Sequence, residues 1–176
     1  MMTFDHFRIN LLQPNEGEAF FNLIDSNRVR LEDFFAGTVS KTLTLEDAMN
    51  YCVEIEQRIK GKSYLPYMIT NSTTNAFVGL VDVKNIDWNV PKAELGSFID
   101  TTYEGQGISS KATRLVVDHI VGKYQFIKLL CRANSRNRGS MAVILKNGFE
   151  LEGTIRNDYR TTKGVIVDLN YYGRVF

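Results

Sequence analysis

Cysteine is scarce in this chain: only Cys52 and Cys131 occur, far apart and outside any CxxC or Cys/His spacing. That argues against a disulfide framework and against a zinc site, and each thiol is expected to be buried and inert. Only three prolines occur, and no repeat or low-complexity stretch interrupts the sequence, so nothing marks an internal linker. No apolar run approaches the ~18 residues of a membrane-spanning helix, and the opening MMTFDHFRINLLQ lacks the basic-then-apolar order of a leader. An excess of charge is also missing. Lys and Arg number 21 against 20 Asp and Glu, a formal net charge of +1, which gives no overall field to attract nucleic acid or an anionic membrane. What remains is 176 residues at 44% hydrophobic content, enough for one full core and too short for two ordinary domains. A single domain over residues 1–176, soluble and cytoplasmic, is expected.

Periodicity supplies the elements. FRINLL at 7–12 alternates and ends at Gln13-Pro14-Asn15, a strand entering a turn. A helix is expected from Glu16 to Asn27, with Ala19, Phe20, Leu23 and Ile24 on one face. From Asn27 to Thr44 no period holds, and the segment reads as a loop, at the surface or facing a substrate. Ala48, Cys52, Ile55 and Ile59 form the stripe of a second helix that Gly61 stops. Three strand-like runs follow at 65–70, 76–86 and 93–100, joined by polar turns into a meander. A third helix puts Ile108, Ala112, Leu115, Val116, His119 and Ile120 on one face. Residues 126–133 are the next strand, parallel to 93–100 if that helix crosses between them. A last helix over 138–147, stopped by Gly148, leads to a hairpin of strands at 150–159 and 165–175.

Within this pattern the order strand, Gly105-Gln106-Gly107, helix suits a pyrophosphate. Glycines let backbone approach the ligand, and a helix start offers unpaired N–H groups and the positive end of its dipole. A Walker loop would need GxxxxGK[ST], which is absent, and a dinucleotide fingerprint would need a third glycine where Ser110 stands.

The pattern xxGxG after a strand resembles the acetyl-coenzyme A turn of the Gcn5-related N-acetyltransferases. That family usually carries Gln or Arg three residues before the first glycine, where this chain has Thr102. Further motifs are similar to its branch that acetylates ribosomal-protein N-termini: Ala93-Glu94-Leu95-Gly96-Ser97-Phe98-Ile99, then Asn137-Arg138-Gly139-Ser140, then Lys146 to Gly153, then Asp168 to Tyr172. The resemblance covers nearly the whole chain. It implies an α/β fold, a mixed and mostly antiparallel sheet with a central parallel βαβ unit and helices on both faces.

It also implies a donor site. Acetyl-coenzyme A as co-substrate is expected against Phe98, Ile99 and Asp100, with backbone groups of Phe98 and Asp100 pairing with the pantetheine arm, and against Gly105, Gln106, Gly107, Ile108, Ser109, Ser110 and Asn137. Ser140 takes the place of the residue that protonates coenzyme A sulfur, and Asp158 falls near the branch's carboxylate base, with Tyr159 an alternative proton donor. Asn137 and Ser140 also suit a helix N-terminus. Arg132, Arg136 and Arg138 are candidates for the 3′-phosphate or an ordinary basic face, and Phe34, Phe35 and Trp88 for an acceptor pocket or plain packing. His119 reads as a packed structural histidine. The function expected is acetyl transfer to a primary amine, a protein N-terminus foremost, by direct attack in a ternary complex without metal and without Cys131 as nucleophile. A small-molecule amine as acceptor and a non-catalytic acyl-coenzyme A module stay open, and a homodimer through the terminal strands is reasonable.

Overall fold

The computed structural model describes residues 1–176. Its strands are β1 (Met2–Phe4), β2 (Phe7–Leu11), β3 (Leu65–Asn71), β4 (Phe77–Asp87), β5 (Lys92–Ile99), β6 (Lys128–Asn134), β7 (Glu150–Arg160) and β8 (Ile166–Val175). They form one sheet in the order β1-β2-β3-β4-β5-β6-β8-β7, antiparallel throughout except for the β5/β6 pair. The helices are α1 (Gly17–Leu31), α2 (Ala36–Ser40), α3 (Leu45–Lys60), α4 (Ile108–Tyr124) and α5 (Arg138–Lys146). The expected βαβ unit is β5-α4-β6.

Two cores lie on the two faces of the sheet. Ala112, Val116, Val117 and Ile120 of α4 and Ile144 of α5 pack with Leu95, Leu129 and Val81 on one face. Phe20, Leu23 and Ile24 of α1 and Cys52 and Ile55 of α3 pack with Met68, Leu80 and Phe98 on the other. The α3 stripe is set in register by a capping box at Thr44 and Asp47, with acids in its first turn and Arg58 and Lys60 in its last, which suits the helix dipole.

Helix α1 runs on to Leu31, past the end expected at Asn27, and Asn27 is buried within it. Its Nδ2 donates to Leu23 O at 2.9 Å and reaches across to Asp100. The aperiodic 27–44 segment contains α2, whose end is held from α1: Arg28 donates to Thr42 O at 2.6 Å and to Val39 O at 3.3 Å, a cation at a helix C-terminus. Gly148 stops α5 with φ 75°, as expected.

The feature that builds the site is a wedge in the sheet. Strands β5 and β6 pair only from Lys92↔Lys128 to Leu95↔Cys131. Beyond that rung β5 stays on β4 as far as Ile99, and β6 stays on β8 as far as Asn134. The two edges facing each other across the wedge therefore carry backbone groups with no strand partner.

Candidate active site

A cavity of about 620 Å³ occupies the wedge and is lined by residues from both faces of the sheet. Gly96, Ser97, Phe98 and Ile99 form one wall, Arg132, Ala133 and Asn134 the other, and the starts of α4 and α5 close the far end. Of the residues singled out from sequence, Phe98, Ile99, Gly105, Gly107, Ile108, Ser109, Ser110, Asn137 and Ser140 line this one space. Asp100, Gln106 and Asp158 do not.

The direction of backbone groups along β5 corrects one expectation. Asp100 N donates to Val78 O at 2.7 Å, so Asp100 is bonded toward β4; antiparallel alternation puts Phe98 in the same phase, opposite Leu80. The N–H and C=O groups turned into the wedge belong to Ser97 and Ile99. The Asp100 side chain is occupied as well, accepting from Thr102 N at 2.9 Å, Thr102 Oγ1 at 2.6 Å and Asn27 Nδ2 at 2.8 Å. Burial works to raise its pKa, yet these bonds and the charge of Arg30 outweigh it and hold the carboxyl below its ordinary range. Thr102, in the position usually Gln or Arg, thus shapes the turn.

Gly105 and Gly107 have φ of 74° and 76°, the left-handed region that glycine enters without cost. Gly107 is the N-cap of α4, and its carbonyl takes Lys111 N, so the N–H groups of Ile108, Ser109 and Ser110 have no partner within the helix. Two hydroxyls beside them, Ser110 Oγ and Thr113 Oγ1, are buried against the cavity without hydrogen-bond partners. A donor-rich cradle with orphaned buried hydroxyls fits an anionic ligand better than an empty turn does. Gln106 points elsewhere, its amide donating to Thr102 O at 3.2 Å.

At the start of α5, Asn137 Oδ1 accepts from Ser140 N at 3.0 Å. That cap fixes Ser140 at the cavity wall, and its own hydroxyl is left without a protein partner. Asp158 lies on exposed β7, where its Oδ2 accepts from Tyr171 Oη at 2.7 Å; that bond, with burial second, raises the Tyr171 pKa. The left-handed Asn157, φ 53°, and the broken register between Ile155 and Tyr159 deliver Tyr159 to the cavity instead of Asp158.

Sequence reasoning passed over four charged residues that matter here. Glu94 lines the cavity, with Oε1 accepting from Arg132 Nε at 3.0 Å and Oε2 from Asn85 Nδ2 at 2.8 Å. Lys84 lies on the same floor, 3.6 Å from the buried Asp82 and over the Phe35 ring. Asp33 clasps the terminal hairpin: its Oδ1 accepts from Thr162 N at 3.1 Å and Thr162 Oγ1 at 2.7 Å, and its carbonyl accepts from Tyr159 Oη. Arg30 reaches the glycine turn from α1. A charge in a central strand, as at Glu94, was the available signal, because it must find a partner. For Asp33 and Arg30 no local signal existed.

The remaining candidates have structural places. Phe34 stacks on Tyr159 with centroids 5.5 Å apart, and Phe35 meets Phe98 edge-on, both at the cavity. Trp88 stacks on Phe126 and donates to Lys62 O, away from it. His119 packs edge-on against Tyr67, and burial lowers its pKa. Arg132 faces Glu94, while Arg136 and Arg138 are exposed and outside the cavity wall. Both cysteines are buried, which pushes Cys52 up to about 12 and Cys131 higher still.

A split parallel pair in a mostly antiparallel sheet, with a glycine-led helix start at the mouth of the split, defines the class: residues 7–150 match the acetyltransferase (GNAT) domain, and the chain belongs to that family. It is an acyltransferase of the N-acetyltransferase type. Among its relatives, the putative ribosomal N-acetyltransferase YdaF of Bacillus subtilis is 28% identical over 175 residues, 96% of this chain and 90% of that protein. Among solved structures, the ribosomal-protein-S5-alanine acetyltransferase of Vibrio fischeri superimposes with a TM-score of 0.90 at 18% identity, over 99% of this chain and 95% of its own. RimL, a ribosomal L7/L12 α-N-protein acetyltransferase solved with coenzyme A, gives 0.89 at 19% identity, over 99% and 97%.

Proposed function

We propose that this chain moves an acetyl group from acetyl-coenzyme A to a protein N-terminal amine by direct attack in a ternary complex. The observation that carries the reading is the wedge: one ligand lying in it meets the α4 cradle at one end, Ser140 on one side and Glu94 on the other. Relatives named as ribosomal-protein acetyltransferases, and the shared fold of RimL, an α-N-protein acetyltransferase, support the choice of acceptor.

Acetyl-coenzyme A supplies the activated thioester, and the remaining tasks fall to the chain. Gly105, Gly107 and the N–H groups of Ile108, Ser109 and Ser110 hold the pyrophosphate. Ser97 and Ile99 offer backbone groups to the pantetheine arm, in the manner of an added strand. Ser140 Oγ gives its proton to the departing thiolate, and Asn137 keeps Ser140 in place. Glu94, whose carboxylate lines the cavity where the strands part, takes the proton of the attacking amine. Phe34, Phe35 and Tyr159 form the acceptor's entrance, on the α1 face of the sheet.

The test is acetyl transfer to peptides beginning with Ser or Ala, measured beside spermidine and an aminoglycoside. Turnover on the peptides, with Ser140→Ala reduced about 100-fold or more, is expected. Equal rates for Ser140→Ala and wild type would remove that residue's role. Tight coenzyme A binding without turnover on any amine would favour a non-catalytic acyl-coenzyme A module.

A further inference from the structure

The glycine turn has an electrostatic difficulty that its own residues do not solve. Between Ala93 and Ser110 there is no Lys or Arg, and the loop carries two carboxylates, Asp100 and Glu104, the second adjacent to Gly105. Lys111, the nearest cation in sequence, is paired with Asp5 at 2.7 Å. A pyrophosphate in the cradle would therefore sit beside an acid of like charge.

The counter-charge arrives from α1. Arg30 Nη1 donates to Glu104 Oε1, and its Nη2 donates both to Ile99 O and to Asn27 Oδ1, the last at 2.9 Å. Asn27, one turn earlier, gives its Nδ2 to Asp100 at 2.8 Å. Two α1 residues thus hold both carboxylates of the loop and the last wedge-facing carbonyl of β5. Arg30 lines the same cavity as Tyr103, Glu104 and Gly105. An ordinary surface ion pair would have one partner and no second bond to a strand end.

We propose that Arg30 is a positioning residue for the donor: held at the end of β5 by Ile99 O, it neutralises Glu104 at the mouth of the cradle. The proposal rests on the reading of the wedge as the acetyl-coenzyme A site. It assigns to a helix on the opposite face of the sheet the cationic role that the loop itself lacks.

The experiment is calorimetric titration of the full chain with coenzyme A, using Arg30→Gln, Arg30→Lys, Glu104→Gln and the double variant Arg30→Gln/Glu104→Gln. Exposing a like charge beside the cradle is expected to raise Kd roughly tenfold in Arg30→Gln. Arg30→Lys recovers part of this, Glu104→Gln binds about twofold more tightly than wild type, and the double variant returns to within about threefold of wild type, since the acid that needed neutralising is gone. Pantetheine, which has no phosphate, binds wild type and Arg30→Gln alike. An unchanged Kd in Arg30→Gln, or a double variant as weak as Arg30→Gln, overturns the proposal. If Arg30→Gln does not fold, Glu104→Gln decides, because a Kd no lower than that of wild type has the same effect. Failure of wild type to bind coenzyme A would instead overturn the acetyl-coenzyme A reading itself.

Discussion

Glu94 and Arg132 join β5 to β6 beside the last rung of their pairing, Oε1 to Nε at 3.0 Å, at the point where the strands separate. The pair braces the apex of the wedge and keeps a carboxylate at the cavity, with its other oxygen held by Asn85. Glu94→Gln retains the shape and an acceptor oxygen for Arg132 but removes the basic site. Its kcat is expected to fall by about 100-fold or more, the usual worth of a positioned base, with Kd for coenzyme A within about threefold of wild type. Steady-state kinetics beside calorimetry separates the two, and a kcat near wild type would leave Glu94 with a bracing role alone.

Gly107→Ala separates binding from folding. A Cβ at Gly107 meets no protein atom within 4 Å, so the fold bears only the strain of φ 76°, about 1–2 kcal/mol. If the open space beside Gly107 is where the phosphates sit, Kd for coenzyme A is expected to rise more than tenfold while the protein stays folded, and an unchanged Kd would place them elsewhere. Melting curves and titration of the same sample check this.

Cys131 lines the cavity, and it is a poor nucleophile because burial raises its pKa far above neutrality. Cys131→Ala is expected to retain wild-type kcat within about threefold, and iodoacetamide should leave both native thiols unmodified at pH 7. Loss of activity in the variant, or rapid alkylation blocked by coenzyme A, would point to an acyl-enzyme route.

Asp100 gives the fold a dependence on acid. Its pKa is depressed in the folded chain, so its contribution is fully present above its unfolded pKa, about 4, and is lost as pH falls through the lower folded value. Asp100→Asn is expected to flatten part of the fall in Tm below pH 4. Scanning calorimetry from pH 7 to pH 2.5 reads the difference, and parallel curves would show that Asn27 and Thr102 hold the neutral amide equally well.

Much of this architecture is written locally. The alternation of β5, the two glycines and the apolar stripe of α4 lie within one short stretch, and strand, turn and helix each follow from nearest neighbours in sequence. Alternation names the face a side chain takes, however, and not the neighbouring strand toward which an N–H points. That depends on the register with β4, which is why Phe98 and Asp100 were expected to offer the backbone groups that Ser97 and Ile99 turn into the wedge. The α2 helix was illegible for a related reason: Ala36–Ser40 is too short to show a period, and its end is held by Arg28 from another helix. Asp158 was misplaced relative to the cavity because the break in β7 is set by its pairing with β8. The local half of the candidate site, the residues that gather at the cavity, could be read from sequence; the half made by contacts across the chain could not.

The clasp at Asp33 divides the enzyme into parts that can change separately. On the proposed reading the donor's backbone contacts come from residues 93–147, with Arg30 lending a charge from α1, whereas the acceptor's entrance lies where the α1–α2 corner meets the tip of the β7–β8 hairpin, joined by the Asp33–Thr162 bonds and the Phe34–Tyr159 stack. Neither segment supplies a backbone group to the cradle. Rewriting those two surface stretches can therefore redirect the catalyst to a new amine while the thioester is still presented in the same way, so descendants of one such chain can share a donor and diverge in what they modify.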